Sequence, residues 1–125
     1  MKVFLGGTCN NSTWREQLKP MLKIDYFDPV VPDWTPECME KELFERENCD
    51  KCLYVITSQM VGVYSIAEAV DDSNKRPDKT VFCILTDGFD PFQLKSLWQV
   101  GRMISQNGGV FFTSLEQVAE FLNVA

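Results

Sequence analysis

Cys52-Leu53-Tyr54-Val55-Ile56-Thr57 is the stretch that decides the fold. It is a nearly continuous apolar run, which is typical of a strand buried on both faces of a parallel sheet. Val81–Leu85 is a second run of the same kind, and a helix is predicted between the two, from about Val61 to Ser73. This order predicts a strand–helix–strand unit with parallel strands.

Three further strands are predicted outward from this unit: Lys2–Leu5, Ile24–Phe27 and Val110–Phe112. Helices between the strands begin at recognisable capping residues. Thr35-Pro36-Glu37 and Asp90-Pro91-Phe92-Gln93 each combine a capping side chain with a proline at the first helical position. Ser114-Leu115-Glu116-Gln117 is a capping box that opens a last helix.

The first helix is expected to start at Asn11 or Ser12 and to end near Leu22, with Pro20 weakening its last turn. Strands and helices therefore alternate along the whole chain. This indicates a single α/β domain over residues 1–125, with an open, five-stranded, doubly wound parallel sheet of the Rossmann or flavodoxin-like kind and helices on both faces. With the common strand order 2-1-3-4-5, the ligand crevice lies between the carboxyl ends of strands one and three.

The net charge of −6 argues against binding of polymeric nucleic acid, because proteins that do so usually carry a basic stripe. No apolar run reaches the roughly 20 residues that a membrane span needs. The N-terminal apolar stretch Met1–Leu5 is too short for a signal peptide and is better interpreted as a strand. We therefore expect a cytoplasmic protein with no membrane partner.

The five cysteines are an odd number, which fits reduced thiols better than a disulfide framework. Cys49 and Cys52 form a C-x-x-C pair, but the pair falls where a helix ends and not at a helix start, where thiolates are stabilised. The chain has no histidine, so a structural zinc site lacks ligands. No metal site is predicted.

A loop rich in glycine and small polar residues follows the first strand: Gly6, Gly7, Thr8 and Asn10 are its candidate binding residues. Glycine allows a ligand to approach the backbone closely, and the amides of the first helix would point into the crevice. The loop is neither a G-x-G-x-x-G fingerprint nor a P-loop. We favour ligand binding because two glycines are more than a simple turn needs. A tight turn that binds nothing is the alternative.

Glu68 is the most informative acid. An apolar stripe with helical spacing predicts the buried face of its helix: Val63, Ile66, Ala67 and Val70. Glu68 lies away from that stripe, which favours a solvated acidic face. Alternatively, it lies close enough to the crevice end to act there, with Tyr64 and Ser65 one turn before it and Gly62 in the adjoining loop. A carboxylate among hydroxyls near a helix start would stay ionised, as a nucleophile should.

Other candidates come from the second helix and the loop before it. That helix carries a run of acids, Glu40, Glu42, Glu45 and Glu47, most of which must form a charged solvent face. One of them reaches the crevice if the helix packs beside it. Asp33 would supply a hydrogen-bonding acid, and Trp34 would supply either a stacking surface for a ligand or a lid over the core.

Three stretches together resemble the nucleoside 2-deoxyribosyltransferase superfamily, and most of all its short, divergent branch of deoxyribosyltransferase-like proteins. They are Phe4-Leu5-Gly6-Gly7-Thr8, the strand Cys52–Thr57, and Gly62-Val63-Tyr64-Ser65-Ile66-Ala67-Glu68. The resemblance covers nearly the whole chain. Three departures from the family pattern are Phe4 in place of an aromatic hydroxyl, Gly62 in place of an aspartate, and non-glycine residues around the glutamate.

The resemblance implies an enzyme that cleaves or transfers the N-glycosidic bond of nucleosides or nucleoside monophosphates. Glu68 matches the nucleophile that forms a covalent glycosyl ester, and Glu42 matches the acid that assists protonation of the base. The loop of Gly6, Gly7 and Thr8 would line the sugar or a 5′-phosphate. The resemblance implies no cofactor. It implies that the protein forms a homo-oligomer. The departures leave open a catalytically inactive nucleotide-binding module of the same fold, and the acidic faces leave open a regulatory protein partner.

Overall fold

The computed structural model describes residues 1–9 and 11–124. It contains a five-stranded, all-parallel sheet with the strand order β2-β1-β3-β4-β5. The strands are β1 (Lys2–Gly7), β2 (Asp25–Phe27), β3 (Lys51–Ile56), β4 (Thr80–Ile84) and β5 (Val110–Phe112). The predicted α/β class and strand order are confirmed, and each predicted strand lies within two residues of its observed bounds.

Four helices join consecutive strands by crossovers, and a fifth follows the last strand: α1 (Trp14–Leu18), α2 (Pro36–Asn48), α3 (Tyr64–Lys75), α4 (Pro91–Gln106) and α5 (Leu115–Val124). Short 3₁₀ turns cover Lys19–Met21 and Pro77–Lys79. The predicted caps of α2 and α4 are confirmed, since Thr35 Oγ1 accepts from the Cys38 amide at 3.2 Å and Asp90 Oδ1 accepts from the Phe92 amide at 2.8 Å. Within the described residues, no helix is long and apolar enough to cross a membrane.

The prediction for the first helix is wrong at both ends. Thr13 precedes the helix and makes no side-chain capping bond, while Asn11 takes a left-handed φ of 51°. The helix ends at Leu18, because Pro20 lies in the 3₁₀ turn that follows and cannot supply an amide for the α-helical pattern.

Side chains alternate along the central strands into two cores, one on each face of the sheet. Val55 and Cys83 point toward α1 and α5, whereas Tyr54 and Phe82 point toward α3 and α4. β3 and β4 are therefore buried on both sides, which is the reason that their sequences are continuous apolar runs. The sheet brings the carboxyl ends of β1 and β3 together at one edge.

Candidate active site

A crevice of about 270 Å³ opens at the carboxyl ends of β1 and β3. It is lined by Gly6, Gly7, Cys9, Arg15, Pro29, Val30, Val31, Trp34, Glu42, Ser65 and Glu68. A second pocket of about 150 Å³ adjoins it through Gly7, Cys9 and Ser65, and also contains Thr8, Gly62 and Tyr64. Most of the predicted site residues therefore lie around one connected depression. A larger cavity of about 500 Å³ along α4 contains none of them.

The two glycines have a structural explanation that the sequence interpretation missed. Both belong to β1 and not to a loop after it. Gly7 has a φ of +121°, and a Cβ there would lie 2.1 Å from the carbonyl oxygen of Val55. A Cβ on Gly6 would lie 2.7 Å from the Tyr54 ring. Contrary to the expectation, two glycines are not more than this segment needs, because the fold itself requires both.

The segment after β1 is fixed by side chains. The buried Thr8 accepts a hydrogen bond at Oγ1 from the Thr57 amide at 2.9 Å, which ties it to the end of β3. The Arg15 guanidinium donates from Nε to the Leu5 carbonyl at 3.0 Å and from Nη1 to the Thr8 carbonyl at 2.8 Å. Arg15 thus places a buried cation in the crevice wall, and the sequence interpretation did not single it out. The predicted binding residue Asn10 lies outside the described residues.

Glu68 is buried, with 7% of its surface exposed, so the prediction of a solvated face is wrong. The predicted buried stripe is half right: Ile66 and Val70 pack against the core, but Val63 is 66% exposed and Ala67 is exposed. The buried face of α3 instead comprises Glu68, Ala69, Asp72 and Ser73. Apolar periodicity failed here because arginines from α2 and from the end of α3 pair with the buried acids.

The carboxylate of Glu68 has one ionic partner among the described residues, Arg46. Arg46 Nη1 lies 3.7 Å from its Oε2, and the carboxylate accepts no hydrogen bond from any described residue. Burial raises the pKa of Glu68 to about 7; Arg46 opposes this shift, and Glu42 and Asp72 add to it. Burial thus works against the expectation that Glu68 stays ionised, because it favours the protonated form, whereas Arg46 favours the carboxylate.

Glu42 is the acid of the α2 run that lines the crevice. It is partly buried, and burial raises its pKa, against the cations Arg46 and Arg15. Glu40 and Glu47 are exposed, as expected. Glu45 instead forms an ion pair of 2.9 Å with Lys2 Nζ. The two carboxyl groups that the resemblance singled out, on α2 and α3, thus line the same crevice.

The remaining candidates divide between the two pockets. Trp34 is 60% exposed and lines the larger crevice, so it is not a lid over the core. Ser65 lines both pockets, whereas Tyr64, 69% exposed, lines only the smaller one with Gly62. Asp33 is exposed and belongs to neither lining, so the structure does not bring this predicted residue to the site.

The buried thiols are unsuited to nucleophilic or metal chemistry. Burial raises the pKa of Cys49 and of Cys52 to about 12, so both stay protonated at neutral pH. Cys49 Sγ donates to Glu45 Oε2 at 3.5 Å, and Cys52 Sγ donates to the Arg46 carbonyl at 3.0 Å. Across residues 1–9 and 11–124, no group of three or more cysteine or acidic side chains is arranged to hold a metal ion.

The fold and the crevice define the class of the protein: a Rossmann or flavodoxin-like α/β protein with two acids at the switch point of its sheet. A family model described as nucleoside 2-deoxyribosyltransferase like matches residues 1–88. The chain belongs to this family, and the matched residues contain every crevice-lining side chain. No curated protein matches the sequence.

Proposed function

We propose that the protein cleaves or transfers the N-glycosidic bond of (deoxy)nucleosides or nucleoside monophosphates through a covalent intermediate on Glu68. Family membership supports a small nucleoside as the substrate. The observation that carries the proposal is that two acids from different helices, Glu68 and Glu42, share one crevice with the exposed aromatic ring of Trp34. A nucleoside needs a surface for its base, room for its sugar and two acids at its glycosidic bond.

The first half of the reaction forms a glycosyl ester. A carboxylate oxygen of Glu68 attacks C1′, the bond from C1′ to the base nitrogen breaks, and its electron pair leaves with the base. Glu42 donates a proton to the departing base. The raised pKa of Glu42 suits this role, because a buried carboxyl group holds its proton to higher pH. The positive charge that builds at C1′ is stabilised by the adjacent carboxylate.

The second half releases the sugar. A base nitrogen or a water oxygen attacks C1′ of the ester, and the bond to the Glu68 oxygen breaks with its electron pair returning to the carboxylate. Glu42, now ionised, takes the proton from the attacking group. A base as acceptor gives transfer, and water gives hydrolysis. Each cycle restores both carboxyl groups, and no step uses a cofactor.

A binding module of the same fold is the second candidate. The observation that favours it is the pKa of about 7 for Glu68, since a protonated carboxyl group is a poor nucleophile. Such a module would hold the nucleotide in the same crevice without turnover.

The two candidates separate in one assay. Protein is incubated with deoxynucleosides and with their 5′-monophosphates, with and without a free acceptor base, and base release is followed by chromatography. The proposed enzyme releases base in this assay. Glu68→Gln should lower the rate of base release by a factor of about a thousand or more. Glu47→Gln is the matched control, because Glu47 is an exposed acid outside the crevice. Saturable nucleotide binding with no base release would support the binding module and contradict catalysis.

A further inference from the structure

We propose that Arg46 is a positioning residue that holds Glu68 in the crevice and supplies the charge opposite its carboxylate. This inference rests on the proposed role of Glu68 and adds a residue that the sequence interpretation did not single out. Arg46 lies on α2 and is 7% exposed. It is not part of the crevice lining, so it acts on Glu68 and not on the substrate.

The guanidinium of Arg46 is held by the middle and the C-terminal part of α3. Nε donates to Asp72 Oδ2 at 3.2 Å, and Nη2 donates to Asp72 Oδ1 at 3.1 Å, which is a two-bond, fork-like pair. Nη2 also donates to Asp71 Oδ2 at 2.9 Å and to the backbone carbonyl of Glu68 at 3.4 Å. With these bonds made, Nη1 is the nitrogen beside the Glu68 carboxylate, at 3.7 Å.

Asp72 is the anchor of this arrangement. It is 0% exposed, and it accepts hydrogen bonds from the Tyr54 hydroxyl at 2.5 Å and from Arg76 Nη2 at 2.6 Å in addition to the Arg46 fork. An isolated buried charge would be strongly unfavourable, so these donors fix Asp72 and Asp72 fixes the plane of the guanidinium. β3, α2 and α3 are thereby joined at the position of Glu68.

The contact at 3.7 Å is long for a hydrogen bond and short enough for a strong ionic interaction. Arg46 therefore favours the ionised form of Glu68 without occupying its oxygens by close hydrogen bonds. Two acids face Glu68 with the opposite effect, Glu42 from α2 and Asp72 from α3. Arg46 is the cation that offsets them, and a direct hydrogen bond in its place would make the carboxylate a weaker nucleophile.

The pKa of Glu68 can be measured without substrate. Protein labelled with ¹³C-glutamate is titrated by NMR, and the carboxyl signal of Glu68 is assigned from its loss in Glu68→Gln. We expect Arg46→Gln to raise the pKa of Glu68 by about 1 unit or more, because removing an adjacent opposite charge disfavours the ionised form. Arg76→Gln is the matched control: it removes the other arginine on Asp72 and should change the pKa of Glu68 by less than about 0.3 unit.

Kinetics test the positioning role. In Arg46→Gln, kcat should fall and the acid limb of its pH profile should move to higher pH, while KM stays within about twofold because Arg46 lines no substrate surface. Arg46→Lys keeps the charge and should retain the pKa of Glu68. It should still lower kcat, because an ammonium group beside Glu68 cannot also form the two-bond fork on Asp72 that orients the arginine.

Three outcomes would overturn the inference: an unchanged pKa of Glu68 in a folded Arg46→Gln, an equal shift in Arg76→Gln, or full kcat in Arg46→Lys. If Arg46→Gln fails to fold, full kcat in Arg46→Lys would still overturn the inference, and so would a shift of about 1 unit in the pKa of Glu68 in Arg76→Gln. If the protein shows no turnover but Arg46→Gln still raises the pKa of Glu68, the proposed function is contradicted and the ionic role of Arg46 stands. The two failures are therefore distinguishable.

Discussion

Glu68 is a carboxyl group that the fold buries at a cost in stability. Its pKa of about 7 lies above the 4.5 of an ordinary glutamate, mainly because burial disfavours the charge. A residue that destabilises the folded state in this way is typical of functional sites, where stability is exchanged for activity. Its burial in the wall of a crevice makes Glu68 a candidate functional residue independently of the family resemblance.

The stability of the protein should depend on pH through Glu68. Between pH 4.5 and about 7 the folded state holds a proton that the unfolded state has lost, so this contribution to stability falls as the pH rises and is fully lost above about 7. Glu68→Gln removes this effect. We expect the variant to be more stable than the wild type by about 3 kcal/mol at pH 8, with the difference shrinking toward pH 5.

Urea unfolding at pH 5 and pH 8 measures this difference. Glu47→Gln, which changes an exposed acid, should alter the free energy of unfolding by less than about 0.5 kcal/mol at both pH values. A Glu68→Gln variant that is less stable than the wild type at pH 8 would show that Glu68 is not a strained buried acid.

The sequence interpretation missed two functional candidates, Arg15 and Arg46, and both are buried arginines. In the sequence, each lies in a polar stretch and cannot be distinguished from a solvent-exposed arginine. Their partners are distant along the chain, such as Asp72 for Arg46, or are backbone carbonyls such as that of Leu5 for Arg15. Pairing of this kind becomes visible only when the elements are packed. Glu68 and Glu42 could be selected because the family motif marks them.

At the scale of elements, the pairing of β1 with β3 depends on Gly7. Gly7→Ala should cost more than about 2 kcal/mol, because the residue has a left-handed φ of +121° and its Cβ would meet the Val55 backbone. Gly62→Ala is the matched control in the same depression, since nothing lies within 4 Å of a Cβ there. We expect it to change the free energy of unfolding by less than about 0.5 kcal/mol in urea titrations.

Equal effects of the two substitutions would contradict this assignment. A large loss of nucleotide binding in a stable Gly62→Ala variant would instead show that the ligand approaches the backbone at Gly62. The pair of variants thus separates a glycine that the strand pairing requires from one that only lines the pocket.

Most elements could be predicted because their signals are local. Apolar runs marked β3 and β4, and Thr35 and Asp90 marked the starts of α2 and α4. Prediction failed where an element depends on distant partners. The buried face of α3 is set by ion pairs with arginines, and apolar spacing cannot report these. The end of α1 was predicted too late for a local reason, since Pro20 ends the α-helix at Leu18 and does not merely weaken its last turn.

At the scale of the whole molecule, α2 is unusual because it buries charged side chains and exposes apolar ones. All of its residues are described, and the buried ones are the charged Glu45 and Arg46. Its outer side exposes apolar side chains: Met39 at 45%, Leu43 at 50% and Phe44 at 61%. We propose that a second copy of the chain covers these side chains in a homo-oligomer, because exposed apolar groups of this size mark contact surfaces.

Sedimentation velocity tests the oligomer. We expect the wild type to sediment as an oligomer and Leu43→Asp to shift the distribution to the monomer, since a charge in an apolar interface is strongly unfavourable. Met103→Asp is the matched control, because Met103 is a helical apolar residue of similar exposure, 51%, on α4. A monomeric wild type, or dissociation caused equally by both substitutions, would contradict α2 as the contact surface.

We also propose that residues 1–125 form a single domain. The family match ends at residue 88, but β5 pairs with β4 and Leu115, Val118 and Leu122 of α5 pack into the same core as β1 and β3. The crevice and the two acids that line it lie within the matched part.

Mass spectrometry of a quenched reaction tests the central role of Glu68 most directly. Protein is mixed with a deoxynucleoside or its 5′-monophosphate without an acceptor base, quenched in acid and digested. We predict that the peptide containing Glu68 gains the mass of the sugar or sugar phosphate, and that free base appears in the same sample. Turnover without any such adduct, or an adduct on another residue such as Glu42, would contradict the assignment.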